Sequence, residues 1–359
     1  MPEPLKNLYN EEFILSLCHR LTASYQKFDS KIFTQKIFND EWQDKELKER
    51  MRHITENLHQ FLPDDYRETL KILKSTSQHF SGFEPMFFPD FVEQYGLDEY
   101  TLSISALEHF TKYSSSEFAV RPFIQKYPKK MMKQMKKWAR SNNHHVRRLA
   151  SEGCRPRLPW AMALPDFKKN PNPVIEILEL LKNDSSEYVR RSVANNLNDI
   201  SKDNPEIVIQ IAKRWIGDHF NTDRIVKHAC RSLLKSGEPQ TMKLFGFKKP
   251  NHIAIEKLKL QKTVTMGGNL KFSFVVRSKK RKLGKLRIEY AIDFMKKNGK
   301  QRRKVFMISE VDRLEREKEI VKEYSFKPIS TRKYYPGCHR VVIVINGQEL
   351  AQKKFQLAK

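Results

Sequence analysis

The sequence predicts a mainly α chain: a helical-repeat solenoid followed by a small all-β sandwich. Three observations carry this. Apolar residues recur at helical spacing as far as about residue 247. Within that part a ten-residue pattern occurs three times. Beyond Gly246 the apolar period shortens to strict alternation, which belongs to strands. The predicted boundary divides the 359 residues into a helical domain, residues 1–247, and a β domain, residues 248–359.

In the helical part, "EEFILSLCHRLTASY" places Phe13, Ile14, Leu17, Leu21 and Tyr25 on one face, and "RETLKILKSTSQHF" repeats that spacing. Pro63, Pro85, Pro89 and Gly96 fall between such segments, where helices stop. The recurring pattern is "HVRRLASEGC", "YVRRSVANNL" and "IVKHACRSLL". Its residues Val146, Val189 and Val226 are 43 and 37 residues apart, the period of HEAT or armadillo helical pairs. The partner helices, "PKKMMKQMKKWARS", "NPVIEILELLKN" and "NPEIVIQIAKRWIG", each open at or near a proline, which suits a first helical turn. Stacked pairs of this HEAT-like kind leave one helix of each on a continuous concave face. Arg147/Arg148, Arg190/Arg191 and Lys227/His228 share a register, so they are expected to form a basic ladder there.

The β part supplies "NLKFSFVVRS", "GKLRIEYAIDFM", "QRRKVFMIS", "EIVKEYSFKP" and "CHRVVIVINGQELAQKKFQL", with turn signals at Gly267-Gly268, Asn298-Gly299 and Asn346-Gly347. Leu286, Ile288, Tyr290, Ile292 and Phe294 should face one core. The arrangement that fits is an immunoglobulin-like sandwich without a paired-cysteine framework.

Lys and Arg number 68 against 42 Asp and Glu, a net charge of +26 spread along the chain. A folded chain of this kind is drawn to polyanions, nucleic acid first, because each phosphate contact releases condensed counterions. With 39% hydrophobic residues and 23 Phe it is too apolar for a disordered chain. Cys18, Cys154, Cys230 and Cys338 lie far apart with no metal-ligand spacing, so no metal is expected. The N-terminus has no signal pattern and no apolar run is long enough to span a membrane, which places the chain in the reducing cytoplasm.

The stretch "SEGCRPRLPW", residues 151–160, ends a helix abruptly. Gly153, Pro156 and Pro159 should forbid its continuation, so Arg155, Arg157 and Trp160 ride on a constrained loop just after the carboxylate of Glu152. Over a polyanion, such arginines clamp phosphates and an indole lies on a sugar or base. From the residues alone, Trp160 is equally a core tryptophan between repeats, and Glu152 a surface carboxylate paired with an arginine one turn back. Glu117 in "SSSEFAVRPF" and Asp199 in "VANNLNDIS" fall near equivalent places. Acids on a basic groove weaken nucleic-acid binding, so they suggest chemistry: a carboxylate stabilises a developing oxocarbenium cation or orients water.

"NHHVRRLASEGCRPRLPWA", "SSEYVRRSVANNLNDISKDNP" and "HACRSLLKSGEP" resemble the HEAT-like repeat DNA glycosylases that repair alkylated DNA, in their AlkC branch. The resemblance covers nearly the whole chain, including the trailing immunoglobulin-like domain. It implies a monofunctional glycosylase without cofactor that removes N3-methylated bases, 3-methyladenine and 3-methylcytosine, from duplex DNA without drawing them into a deep pocket. It also implies that Glu152, Asp199 and Glu117 are active-site carboxylates, that Trp160 is the aromatic residue near the sugar, and that Arg148 is a basic residue near the lesion. Arg147, Arg155, Arg157, Arg190 and Arg191 complete the expected DNA-binding set. An array wrapping one duplex needs no second subunit, so a monomer is expected. The competing expectation is a non-enzymatic helical-repeat scaffold for nucleic acid.

Overall fold

The computed structural model describes residues 3–280, 282–329 and 332–359. Among these residues sixteen α-helices precede the strands. The first six are α1 (Glu11–Ser24), α2 (Ser30–Ile37), α3 (Leu47–Phe61), α4 (Tyr66–Ser77), α5 (Phe87–Tyr95) and α6 (Tyr100–Phe110). There follow α7 (Val120–Lys126), α8 (Pro128–Trp138), α9 (His144–Glu152), α10 (Pro165–Lys169), α11 (Asn172–Leu181), α12 (Glu187–Ile200), α13 (Pro205–Trp215) and α14 (Phe220–Ala229). Two short helices, α15 (Arg231–Ser236) and α16 (Pro239–Leu244), complete the set. Contacts separate the residues up to Ala229 from those from Cys230 on, so α15 and α16 group with the β region.

The first unit is a repeat-like helical array. Helices α8, α11 and α13 each carry proline in the first turn, where its missing N–H costs nothing. Their partners α9, α12 and α14 pack in sequence, α9 on α12 and α12 on α14. Val146, Val189 and Val226, the residues that align in the sequence, are all buried. Asn143 caps α9 by accepting hydrogen bonds from the backbone of His145 and Val146.

The second unit holds eight strands: β1 (Ile253–Leu260), β2 (Thr263–Thr265), β3 (Asn269–Ser278), β4 (Gly284–Met295), β5 (Gln301–Arg313), β6 (Glu317–Ser325), β7 (Gly337–Ile345) and β8 (Gln348–Ala358). They form a three-stranded sheet, β1-β3-β6, and a five-stranded sheet, β2-β8-β7-β4-β5. Leu286, Ile288, Tyr290, Ile292 and Phe294 of β4 share one core with Leu270, Phe272, Phe274 and Val276 of β3, as alternation predicts. The opposite face of β4 is buried as well. Arg287 there pairs with Glu289 and Glu310 at 2.6 Å each. Strand β1 is an addition to the sequence reading. Its alternation is interrupted by a bulge between Glu256 and Lys259, where Lys257 takes a left-handed φ of 51°.

The helical tail and the sandwich of this unit meet at two glycines. Gly237 ends α15 in the left-handed region, φ 74°, and Gly347 closes the β7–β8 turn at φ 78° after Asn346 at 46°. A Cβ on Gly347 would stand 2.5 Å from the Cα of Gly237. Asn346 also donates to the carbonyl of Lys248 at 2.8 Å, which fixes the turn against the incoming chain. Gly347→Ala should therefore destabilise the protein by about 1–3 kcal/mol through overpacking alone, seen as a lower urea midpoint with an unchanged slope.

Candidate active site

Helix α9 sets the site. Its Val146, Leu149 and Ala150 are buried in the array, which puts Arg148 and Glu152 one turn apart on a second face. Gly153 keeps helical angles, φ −62° and ψ −31°, so it is Pro156 and Pro159 that turn the chain away. The glycine serves close packing: a Cβ there would lie 2.6 Å from Val120 of α7. The left-handed backbone falls instead on Trp160, at φ 63°. For a bulky residue this is a strained conformation that the surroundings must hold in place.

Glu152 is buried, and both carboxylate oxygens are engaged. Oε1 accepts from Arg155 Nη1 at 2.6 Å and lies 3.6 Å from Arg148, while Oε2 accepts from Ser192 of α12 at 2.6 Å. Arg155, also buried, donates its Nε to Asp199 at 2.8 Å, and Lys202 donates to the other oxygen of Asp199 at 2.9 Å. Burial opposes the charge on Arg155, but Glu152 and Asp199 outweigh it and raise its pKa. Arg148 reaches forward, donating to Glu117 at 2.5 Å and to Ser115 at 3.0 Å. Its guanidinium lies 4.5 Å from the ring centroid of Tyr188. The carboxylates and cations thus alternate: Glu117, Arg148, Glu152, Arg155, Asp199, Lys202.

Glu117, Arg148, Glu152, Arg155, Trp160 and Tyr188 line one open cavity of about 640 Å³. Trp160 is 63% exposed, which settles the alternative of a core tryptophan against the core. Asp199 does not line the cavity. It stands behind Arg155, so it reaches the cavity only through that guanidinium.

The expected basic ladder divides in two. Arg147 donates to the carbonyls of Ser141 and Asn142 at 2.9 and 3.0 Å and to both oxygens of Asp184, and Arg190 donates to the carbonyls of Asp184 and Ser185 at 2.7 and 2.8 Å. Each binds the carbonyls five and six residues before it. This is a repeated tie from each helix to the loop before it. Arg155 is buried between two acids, and Arg157 pairs with Asp203 at 2.5 and 2.7 Å. Arg155 is thereby enclosed, whereas the Arg157 pair stands at the surface, with that side chain 39% exposed. Arg191 is different in exposure: its side chain is 69% exposed, with Glu187 at 3.6 Å, and with Arg190, Arg224 and His228 it lines a second cavity.

Three members of the site were not picked out in the sequence. Tyr188 precedes Val189 as His145 precedes Val146, so the repeat register marks its place. Ser115 lies two residues from Glu117 in a serine run. Ser192 meets Glu152 only because α9 and α12 pack through Ser151 and Ser192, whose hydroxyls are 2.7 Å apart, and nothing local signals that. Cys154 is wholly buried, and its thiol is pushed up to about 12, so it is no nucleophile. Among the described residues, no group of three or more His, Cys, Asp or Glu is placed to hold a metal ion, and no helix is long and apolar enough to cross a membrane.

Residues 99–237 match the family model described as DNA alkylation repair enzyme, and residues 254–359 match the C-terminal Ig-like domain of uncharacterised protein YhaZ. The chain is 47% identical to uncharacterized protein YhaZ of Bacillus subtilis (strain 168) over 355 residues, covering 98% of this chain and 99% of that protein. Its structure is similar to that of the Pseudomonas fluorescens alkylpurine DNA glycosylase AlkC bound to DNA containing an abasic site analogue. The TM-score is 0.94 and the identity 36%, across 99% of this chain and all of the other. Fold and site together define a DNA alkylation-repair protein with a C-terminal immunoglobulin-like domain. The chain belongs to the family of AlkC-type alkylpurine DNA glycosylases.

The arginine between Glu152 and Asp199 is the most demanding part of this arrangement. Arg155→Met would leave two buried carboxylates without their shared cation. A loss of about 3–5 kcal/mol is expected, measured by urea unfolding of the purified variant.

Proposed function

We propose that this protein is a monofunctional DNA glycosylase that hydrolyses the N-glycosidic bond of N3-methylated bases, 3-methyladenine and 3-methylcytosine, in duplex DNA. The observation that carries the reading is the cavity in which Glu117 and Glu152 meet the exposed ring of Trp160. An N3-methylated base is already cationic, so it leaves as a neutral molecule and needs no general acid. The demand is at the sugar, where positive charge grows at C1′ as the bond breaks. Carboxylates fixed by Arg148, Arg155, Ser115 and Ser192 answer that demand without reorganising.

In this reading Trp160 packs on the deoxyribose, and Glu152 and Glu117 face the oxocarbenium ion and orient the attacking water. Asp199 acts one step back, fixing Arg155 and through it Glu152. Arg191, whose side chain is exposed, takes a backbone phosphate. The open cavity suits a lesion approached from its sugar, in keeping with excision that needs no deep base pocket. No cofactor takes part, and the product is an abasic site in an uncut strand.

Purified protein incubated with methylated duplex DNA should release free 3-methyladenine and 3-methylcytosine, detected by mass spectrometry, and the strand should break only on later alkaline treatment. Binding of methylated DNA with no base released would leave a non-enzymatic scaffold as the answer. Trp160→Ala should raise the barrier to excision by about 1–3 kcal/mol, the range for an aromatic ring stacked on a nucleotide, read as a slower single-turnover rate.

A further inference from the structure

The loop of residues 153–162 carries Arg155 and Trp160, yet it has no regular secondary structure of its own. Two cations from outside the repeat motif hold its backbone. Arg121 of α7 is fully buried, and all three of its hydrogen bonds go to carbonyls of this segment: Nε to Met162 at 2.7 Å, and Nη1 to Gly153 and Arg155 at 2.9 Å each. One guanidinium therefore joins the first and last turns of the loop. Lys48 of α3, exposed at the surface, donates to the carbonyl of Trp160 itself at 2.9 Å, and its ammonium lies 5.2 Å from the ring centroid of Phe118.

The Arg121 contact is not what stability alone favours. Burial lowers the pKa of Arg121 to about 10, and its Nη2 has no hydrogen-bond partner. A fully buried arginine spent on carbonyls, with one nitrogen unsatisfied, is a costly way to close a loop. Lys48 reaches across 112 positions of sequence to the one residue of the loop with a left-handed φ. Both cations act where the backbone conformation decides how the indole stands in the cavity.

We propose that Arg121 and Lys48 are positioning residues that set the backbone of the Trp160 loop before DNA arrives, so that the indole enters the complex already aimed. Arg121 fixes the ends of the loop, and Lys48 holds the strained peptide after Trp160. The effect on excision rests on the glycosylase reading; the effect on the loop does not. Misplacing a contact group by an ångström or so costs rate far more than it costs binding.

Lys48 is the practical probe, because an exposed side chain is removed with little loss of fold. Trp160 reports on itself: the other tryptophans, Trp42, Trp138 and Trp215, are buried, so a soluble collisional quencher acts on Trp160. In the free full-length protein, Lys48→Met should give Trp160 a faster local component in time-resolved fluorescence anisotropy, and Lys48→Arg should restore the slow one. With a duplex bearing one 3-methyladenine, Lys48→Met should lower the single-turnover excision rate about tenfold, with the Kd for the duplex and the melting temperature unchanged. Unaltered anisotropy in Lys48→Met overturns the proposal, and so does an excision loss matched by an equal loss of affinity. If the unsubstituted protein releases no base, the glycosylase reading fails, and the anisotropy still decides the clamp.

Discussion

The site depends on one buried cation. Arg155 sits between Glu152 and Asp199 and binds each within 2.8 Å. Both carboxylates are buried, and a buried charge is tolerated where it is paired and hydrogen-bonded. The same guanidinium ties together three pieces of chain: the last turn of α9, the proline-bearing loop, and the last turn of α12. Whatever fixes Arg155 therefore fixes the acid at the cavity and the start of the loop that ends in Trp160.

The repeat supplies the frame for this arrangement, and the two arginines of each repeat divide the work. Arg147 and Arg190 turn back to carbonyls five and six residues earlier, which locks each helix to the loop before it. Arg148 lines the first cavity beside Glu117 and Glu152, and Arg191 stands exposed at the second, which Arg190 also lines. In a chain with a net charge of +26, positive potential is abundant, and attraction to DNA needs no particular residue. In the proposed mechanism, what is scarce is negative charge held where a cation would form. On that reading the alternating series from Glu117 to Lys202 would supply it, with three acids balanced by three cations.

Much of this is legible in the sequence, and the limits have physical causes. The register of Val146, Val189 and Val226 gives the repeat because burial at that position is the same in each copy. Alternation gives β3 and β4 for the same reason, and it loses β1 where the bulge at Lys257 breaks the period. Residue type and spacing bring out Glu152 and Trp160. They do not distinguish an arginine that pairs with the carboxylates of the cavity from one that caps a carbonyl, so Arg147 and Arg148 look alike in sequence and differ in structure. Asp199 reads as an acid of the same standing as Glu152. Only the packing of α12 places it behind Arg155. Lys48 and Arg121 carry no signal, since the loop they hold is distant in sequence.

In the proposed mechanism Glu152 is the carboxylate that faces the reacting sugar, and Asp199 acts through Arg155. Single-turnover release of 3-methyladenine from a defined duplex, measured beside duplex affinity for Glu152→Gln and for Asp199→Asn, tests this most directly. The expected result is a fall in rate of about 10²–10³ for Glu152→Gln, the cost of removing a fixed electrostatic partner of the transition state, with affinity kept or slightly increased and a smaller fall for Asp199→Asn. Excision by Glu152→Gln at the unsubstituted rate, or a loss of rate that follows an equal loss of affinity, would contradict it.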